Sequence, residues 1–247
     1  MSSTVNWGAA PRNPILRGDE VHVWLSMTGQ APPARGLPGL LSVDEIERAN
    51  RFYFSRDRER FIHAHGVLRT LLGRYVGADP ARLRFSSNRY GKPALAGEWA
   101  GAGLNFNLSH SHEVVLYAFA FEREVGVDVE HVRPELAGEE IAARFFAARE
   151  AEALRRTPDG ARAEAFFSCW TRKEAYVKAV GEGLSIPLDS FVVSVDPEAR
   201  EVSLEVGGAA GEGRRWGIVS LRPAEEYVAA LAAEGSGWQL KCWRADV

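Results

Sequence analysis

Residues 104–130 read Leu104-Asn-Phe-Asn-Leu-Ser-His-Ser-His-Glu-Val-Val-Leu-Tyr-Ala-Phe-Ala-Phe-Glu-Arg-Glu-Val-Gly-Val-Asp-Val-Glu130. Three β-prone runs lie here: Leu104–Leu108, Val114–Phe121 and Val125–Glu130. Aromatic and β-branched residues dominate them, and short polar segments separate them. Glu122-Arg-Glu124 leaves too little chain for anything but a tight connection. Gly126-Val-Asp-Val-Glu130 alternates strictly, so Asp128 and Glu130 project to one face while Val127 and Val129 enter a core.

On the N-terminal side, Ser42-Val-Asp-Glu45 is a capping-box signal for a helix through about Asn50. A second helix follows, roughly Arg56–Val76, with Phe61, His65, Leu68, Leu72 and Tyr75 at helical spacing. Strands are expected at Val21–Ser26, Leu83–Phe85 and Lys92–Leu95, with a loop at Ala31–Pro38. On the C-terminal side, helices are expected at Glu139–Leu154 and Ala161–Val180. Strands return at Phe191–Val195, Val202–Val206, Trp216–Leu221, Tyr227–Ala232 and Trp238–Trp243. Helices and antiparallel strands come in blocks, which makes the class α+β.

Arg51-Phe-Tyr53 is echoed by Arg144-Phe-Phe146, and Arg74-Tyr-Val-Gly77 by Lys178-Ala-Val-Gly181. The offsets are 93 and 104, so an insertion near Thr157–Gly160 is required. Residues 1–20 then read as a loose lead-in, 21–123 as one half and 124–247 as a second, similar half. Chance likeness of short Phe- and Gly-containing strings is the competing account.

The 247 residues carry 30 basic and 33 acidic side chains, for a net charge of −3. A general nucleic-acid binder would show a basic surplus, so none is expected. Two cysteines, Cys169 and Cys242, are too few for a disulfide framework and point to a reducing compartment. No run approaches a membrane span, and Met1–Pro14 lacks the pattern of a signal peptide. A cytoplasmic protein is expected. Only four of the 30 basic residues are Lys (Lys92, Lys173, Lys178 and Lys241). Where Arg is the default, Lys is a candidate for a compact point charge or a proton donor, or simply drift.

Asp128 and Glu130 side by side repel, and a divalent cation would relieve that; an ordinary solvated strand face is the alternative. In Ala161–Val180, a helical wheel puts Ala163, Phe166, Phe167, Trp170 and Val177 on one apolar stripe, with Glu174 in its middle and Lys178 one turn on. A buried carboxylate needs a partner or a metal. An internal Glu174–Lys178 pair would supply a partner but would not explain the interrupted stripe. Ser109 and His110 at a strand end suit phosphate oxygens, a general base, or merely a turn. Lys92 and Pro93 in Tyr90-Gly-Lys-Pro93 suit a phosphate contact or a plain hairpin. The pairs His110/His112 and His63/His65 are assigned no zinc role.

Three segments together resemble the signatures of the Sfp-type 4′-phosphopantetheinyl transferases: Asn105–Ser111, Val125–Glu130 and Trp170-Thr-Arg-Lys-Glu-Ala-Tyr-Val-Lys178. Tyr90–Pro93, Gly181-Glu-Gly-Leu184 and Arg51–Tyr53 add to the resemblance, which covers roughly residues 40–195. It implies two pseudo-symmetric α+β halves, each a small antiparallel sheet with a long helix, and an active site at their interface. It implies transfer of the phosphopantetheine arm of coenzyme A to a serine of an acyl or peptidyl carrier protein, with release of 3′,5′-ADP. By the same resemblance Asp128, Glu130 and Glu174 would hold Mg²⁺ (or Mn²⁺), and Glu174 and Lys178 would be catalytic. Arg48, Arg60, Lys92, Pro93, Ser109, His110 and Lys178 would contact coenzyme A. Glu150 matches a further acidic position with no assigned role. Glu45 stands where many members have a basic residue, which implies a weaker grip on the 3′-phosphate. His112 stands where a smaller residue is common. A monomer is expected, since the two halves complete the site. A non-catalytic binding module and a phosphohydrolase are the other readings; intact Asp128, Glu130, Glu174 and Lys178 speak against the first.

Overall fold

The computed structural model describes residues 6–29, 36–207 and 215–245. Most of the loop expected at Ala31–Pro38 lies outside them. The first half comprises β1 (Glu20–Met27), α1 (Val43–Asn50), α2 (Ser55–Val76), β2 (Arg84–Ser87), β3 (Pro93–Ala96), β4 (Leu104–Ser111) and β5 (Val114–Phe121). The second comprises β6 (Val125–His131), α3 (Glu139–Phe145), α4 (Ala148–Arg156), α5 (Asp159–Val180), β7 (Phe191–Val193), β8 (Glu201–Val202), β9 (Leu204–Val206), β10 (Trp216–Leu221) and β11 (Tyr227–Glu234). A last strand, β12 (Gln239–Arg244), returns to the first sheet.

The class is α+β, as the sequence indicates. One sheet has the order β12-β1-β5-β4, the other β6-β11-β10-β8, and β2-β3 and β7-β9 form two small hairpin-like pairs. β5 and β11 are buried along nearly their whole length because both of their faces are covered. Val114, Leu116, Ala118 and Ala120 face a core shared by the two sheets, with Val125, Val127, Val129, Ala229, Leu231 and Ala233. Val115, Tyr117 and Phe119 face α2 instead, where Val67, Leu68, Leu71 and Leu72 meet them. Val228, Ala230 and Ala232 face α5, where Ala165, Phe166 and Ala179 meet them. The period of two thus fills two cores from one strand, and the layers run helix, sheet, sheet, helix.

The echo in the sequence has a structural counterpart. α2 and α5 each have 22 residues and each end on a left-handed glycine, Gly77 (φ 67°) and Gly181 (φ 78°). The insertion that separates the two offsets is α4, which precedes Thr157–Gly160.

Several expectations need correction. The helix expected over Glu139–Leu154 is two, because Phe146 and Ala147 are extended (ψ 154° and 148°). Phe146 turns into the core at 3% exposure, and the Glu150 carboxylate accepts the freed Ala147 N–H at 2.8 Å. The strand expected over Val202–Val206 is also two, and β8 and β9 pair in different sheets. The first sheet is not wholly antiparallel: β12 lies parallel to β1. It follows that a division at 123/124 assigns to the second half a strand that sits in the first sheet. The lead-in is tied down where described, since Gly8 bridges Trp243 and the Trp7 indole donates to the Arg222 carbonyl. α5 is buried around far more than one stripe, with Thr171, Arg172 and Lys173 all at 0% exposure. Among the described residues, no helix is long and apolar enough to cross a membrane.

Candidate active site

The two sheets meet along β4 and β6 through an unusual ladder. In β6, the N–H groups of Val127, Val129 and His131 point away from β11 and lack strand partners. Side chains of β4 satisfy them: Asn107 Oδ1 accepts from Val127 (2.9 Å), Ser109 Oγ from Val129 (3.3 Å) and Ser111 Oγ from His131 (3.1 Å). Small polar residues at every second position of β4 therefore replace a neighbouring backbone. The two hydroxyls also donate. Ser109 donates to Asp128 Oδ1 at 2.8 Å, and Ser111 to Glu130 Oε2 at 2.9 Å.

α5 approaches the same face of β6. Gly126 allows it: an added Cβ there would lie 2.2 Å from the Ala175 carbonyl oxygen and 2.3 Å from the Ala179 nitrogen. The close approach brings Lys178 Nζ to 2.5 Å from Asp128 Oδ1 and 3.0 Å from Ser109 Oγ. Lys178 thus pairs across the helix–strand contact with Asp128, which is 4% exposed. Glu174 stands one turn before it. Its carboxyl is raised above the ordinary value by burial, then by the negative charges of Asp128 and Glu130, with Lys178 opposing. Glu130 is raised for the same reasons, burial first and Asp128 second.

Three carboxylates thus share one partly dry corner, where the charge of Asp128 disfavours ionisation of Glu130 and Glu174. Asp128 Oδ2 is buried with no hydrogen-bond partner. Among the described residues, no three or more His, Cys, Asp or Glu side chains stand arranged to hold a metal ion; the Lys178 ammonium supplies the counter-charge to Asp128. Oxygen-only donors with an unpartnered buried oxygen nonetheless fit a hard divalent cation.

A cavity of about 790 Å³ opens in front of this corner, walled by Arg48, Arg60, Pro93, Ser109, His110 and Lys178 among others. A smaller one of about 320 Å³ adjoins it, walled by Lys92, Pro93, Asn107, Glu174, Val177 and Lys178. Every candidate of the contact set therefore lines one of the two. The His110 imidazole is drawn below its ordinary value by desolvation, then by Lys178, His65 and Arg60. Of the three carboxylates only Glu174 lines either cavity, the smaller one. The 790 Å³ cavity reaches the corner through Ser109, Ser111 and Lys178, whereas a larger cleft of about 950 Å³ behind His65, Pro93 and Leu108 is lined by none of Glu174, Ser109, Ser111 and Lys178.

Some side chains have jobs that the sequence did not disclose. The Lys92 ammonium donates to Glu124 (2.6 Å) and to the Ala179 carbonyl (2.7 Å), and Asn88 donates to the Gly181 carbonyl (2.8 Å). The β2–β3 turn thereby caps the C-terminus of α5 with a cation. Glu45 closes a capping box with Ser42 and accepts from His65 (3.2 Å) and Arg69 (2.7 Å). Burial opposes its charge, but the bonds from His65, the Ser42 backbone and Arg69 prevail and hold its carboxyl at about 2. Glu150 is 1% exposed, pairs with the fully buried Lys173 at 2.8 Å and accepts the Val193 N–H at 2.7 Å, so it fastens α4 to α5 and β7. His112 takes φ 50° in the β4–β5 turn and packs its ring, tilted by 38°, against His131 at 4.7 Å between centroids. A left-handed β-carbon residue costs about 1–2 kcal/mol there. Gly126 and Ser111 escaped assignment from sequence, although both lie inside quoted motifs. The alternation Asn105, Asn107, Ser109, Ser111 was the available signal for the ladder.

Comparison with known proteins agrees with this geometry. Residues 124–232 match the profile of the 4′-phosphopantetheinyl transferase superfamily, and residues 37–122 that of 4′-phosphopantetheinyl transferase, N-terminal. The 4′-phosphopantetheinyl transferase HetI of Nostoc sp. is 40% identical over 96% of this chain and 97% of its own. The 4′-phosphopantetheinyl transferase Sfp of Bacillus subtilis is 33% identical over 67% of this chain and 71% of its own. The chain is a member of the Sfp-type 4′-phosphopantetheinyl transferases, and an enzyme.

Proposed function

We propose that the protein moves the 4′-phosphopantetheine arm of coenzyme A onto a serine hydroxyl of an acyl or peptidyl carrier protein and releases 3′,5′-ADP. The observation that carries this reading is the Lys178–Asp128–Ser109 contact, with Glu130 and Glu174 beside it, at the back of a basic cavity. Asp128, Glu130 and Glu174 would hold Mg²⁺, or Mn²⁺ in its place. When bound, such an ion neutralises pyrophosphate charge and polarises the bond that breaks.

The chain's own residues do the rest. Arg48 and Arg60 balance phosphate charge on the cavity wall, with Ser109 and His110 adding hydrogen bonds. Lys92 and Pro93 shape the wall next to α5. The carrier serine oxygen attacks the phosphorus that bears pantetheine, and the bond from that phosphorus to the 3′,5′-ADP oxygen breaks. Glu174, its carboxyl raised by burial and by neighbouring carboxylates, takes the serine proton, directly or through water. Lys178 neutralises the charge that develops on the leaving 3′,5′-ADP. The protein works as a cytoplasmic monomer, its two halves completing one site.

The test is product analysis after incubation with coenzyme A, Mg²⁺ and an apo carrier protein. Equal amounts of 3′,5′-ADP and modified carrier are expected. Release of free phosphopantetheine instead would identify a phosphohydrolase and overturn the proposal.

A further inference from the structure

Ser109 and Ser111 perform the same act one rung apart. Each hydroxyl accepts the N–H of the residue after a carboxylate and donates to that carboxylate: Val129 N–H and Asp128 for Ser109, His131 N–H and Glu130 for Ser111. Asn107 shows that satisfying the β6 edge needs only an acceptor, since its Oδ1 takes the Val127 N–H on a rung where Gly126 leaves no carboxylate to receive a hydrogen bond. A hydroxyl is the small group that accepts and donates at once. The donor half of the serine rungs therefore does something that the ladder itself does not require.

Ser111 is the cleaner of the two, because Ser109 also takes the Lys178 ammonium. Ser111 is 8% exposed. The His131 N–H occupies one of its lone pairs, and β6 is held in turn by pairing with β11, His131 opposite Tyr227. The hydroxyl hydrogen is thus aimed from a fixed backbone position at Glu130 Oε2, referencing the carboxylate to its own strand. We propose that Ser111 is a positioning residue that orients Glu130 for the divalent cation. This rests on the reading of Asp128, Glu130 and Glu174 as the groups that hold that ion.

The experiment uses Mn²⁺ as the probe, with the full chain, coenzyme A present and carrier protein omitted so that nothing turns over. Free Mn²⁺ is followed by its electron paramagnetic resonance signal. Ser111→Ala is expected to weaken Mn²⁺ binding about 10–100-fold, the range seen when a partner of a metal ligand is lost. Ser111→Thr, which keeps the hydroxyl, is expected to bind as the unaltered protein does. In turnover, Ser111→Ala raises the metal concentration for half-maximal rate by the same factor, while kcat at saturating metal stays close to the unaltered value. If Ser111→Ala does not fold, Ser111→Cys takes its place, since a thiol is a poor donor of similar size. Equal Mn²⁺ affinity with and without the hydroxyl overturns the positioning role. So does equal weakening in the Ala and Thr variants. Failure of the unaltered protein to bind Mn²⁺ at all overturns the cation reading itself, and the role of Ser111 with it.

Discussion

Gly126→Ala is the perturbation with the largest structural leverage for its size. A methyl group there would meet the Ala175 carbonyl oxygen at 2.2 Å, the Ala179 nitrogen at 2.3 Å and the Lys178 carbonyl carbon at 2.8 Å. All three are backbone atoms, so no rotamer change relieves them. Ordinary contact begins at 3.4 Å, so α5 must withdraw from β6 by about 1.2 Å at this turn. That turn carries Glu174 and Lys178. A rigid withdrawal of that size takes the 2.5 Å Lys178–Asp128 contact out of hydrogen-bonding range. Overpacking of this kind costs about 1–3 kcal/mol of stability, which a domain of this size tolerates. Misplacement of a reacting group by roughly 1 Å costs about 10²-fold in rate. Gly126→Ala is therefore expected to fold, melt some degrees lower and lose about 10²-fold in kcat/KM. The assay is steady-state transfer to an apo carrier protein, alongside thermal unfolding of the same sample. A variant that transfers at the unaltered rate would refute the claim that the α5–β6 approach sets the site.

Other predictions concern charge. Glu174 titrates above its ordinary 4.5 through burial first and then through Asp128 and Glu130. Its contribution to stability is therefore fully present below pH 4.5 and is lost as pH rises through the folded-state value. In EDTA, Glu174→Gln is expected to melt higher than the unaltered protein at pH 8, with the gap closing toward pH 4.5; a gap that does not change with pH would contradict this. The same variant is expected to lose transfer activity at pH 7, as a discontinuous carrier assay would show. Lys173→Met leaves the buried Glu150 charge without its cation and is expected to cost about 3–5 kcal/mol in urea unfolding. Glu45→Lys puts a cation in place of the Glu45 carboxylate but breaks the capping box. It is expected to lose at least about 1 kcal/mol and to bind coenzyme A no more tightly by calorimetry.

Much of the fold is legible where a pattern is local. The capping box at Ser42–Glu45 starts α1, and the long spacing pattern after Ser55 marks α2. The continuous β-branched and aromatic run Val114–Phe121 marks β5, and the strict alternation of Gly126–Glu130 marks β6. What escapes is set by distant partners. Nothing in Gln239–Arg244 says that it lies parallel to β1, because that pairing spans most of the chain. Phe146 ends α3 since its ring is wanted in the core and Glu150 caps the break, which helical periodicity does not report. In the site, the alternation of Asp128 and Glu130 and the intrusion of Glu174 into an apolar stripe are visible in one dimension. That Lys178 pairs with Asp128, not with Glu174 one turn away on its own helix, depends on how α5 seats on Gly126. The serine rungs are written as alternate small polar residues, but their meaning needs β6 beside them.

The central claim, transfer of phosphopantetheine by a cation-dependent site, is met most directly by intact-mass spectrometry of an apo carrier protein. The carrier is incubated with this protein, coenzyme A and Mg²⁺, with and without EDTA. The account predicts a gain of one phosphopantetheine per carrier, abolished by EDTA and restored by excess Mg²⁺. No gain with several unrelated carriers, while coenzyme A still binds, or a gain that EDTA leaves untouched, would contradict it.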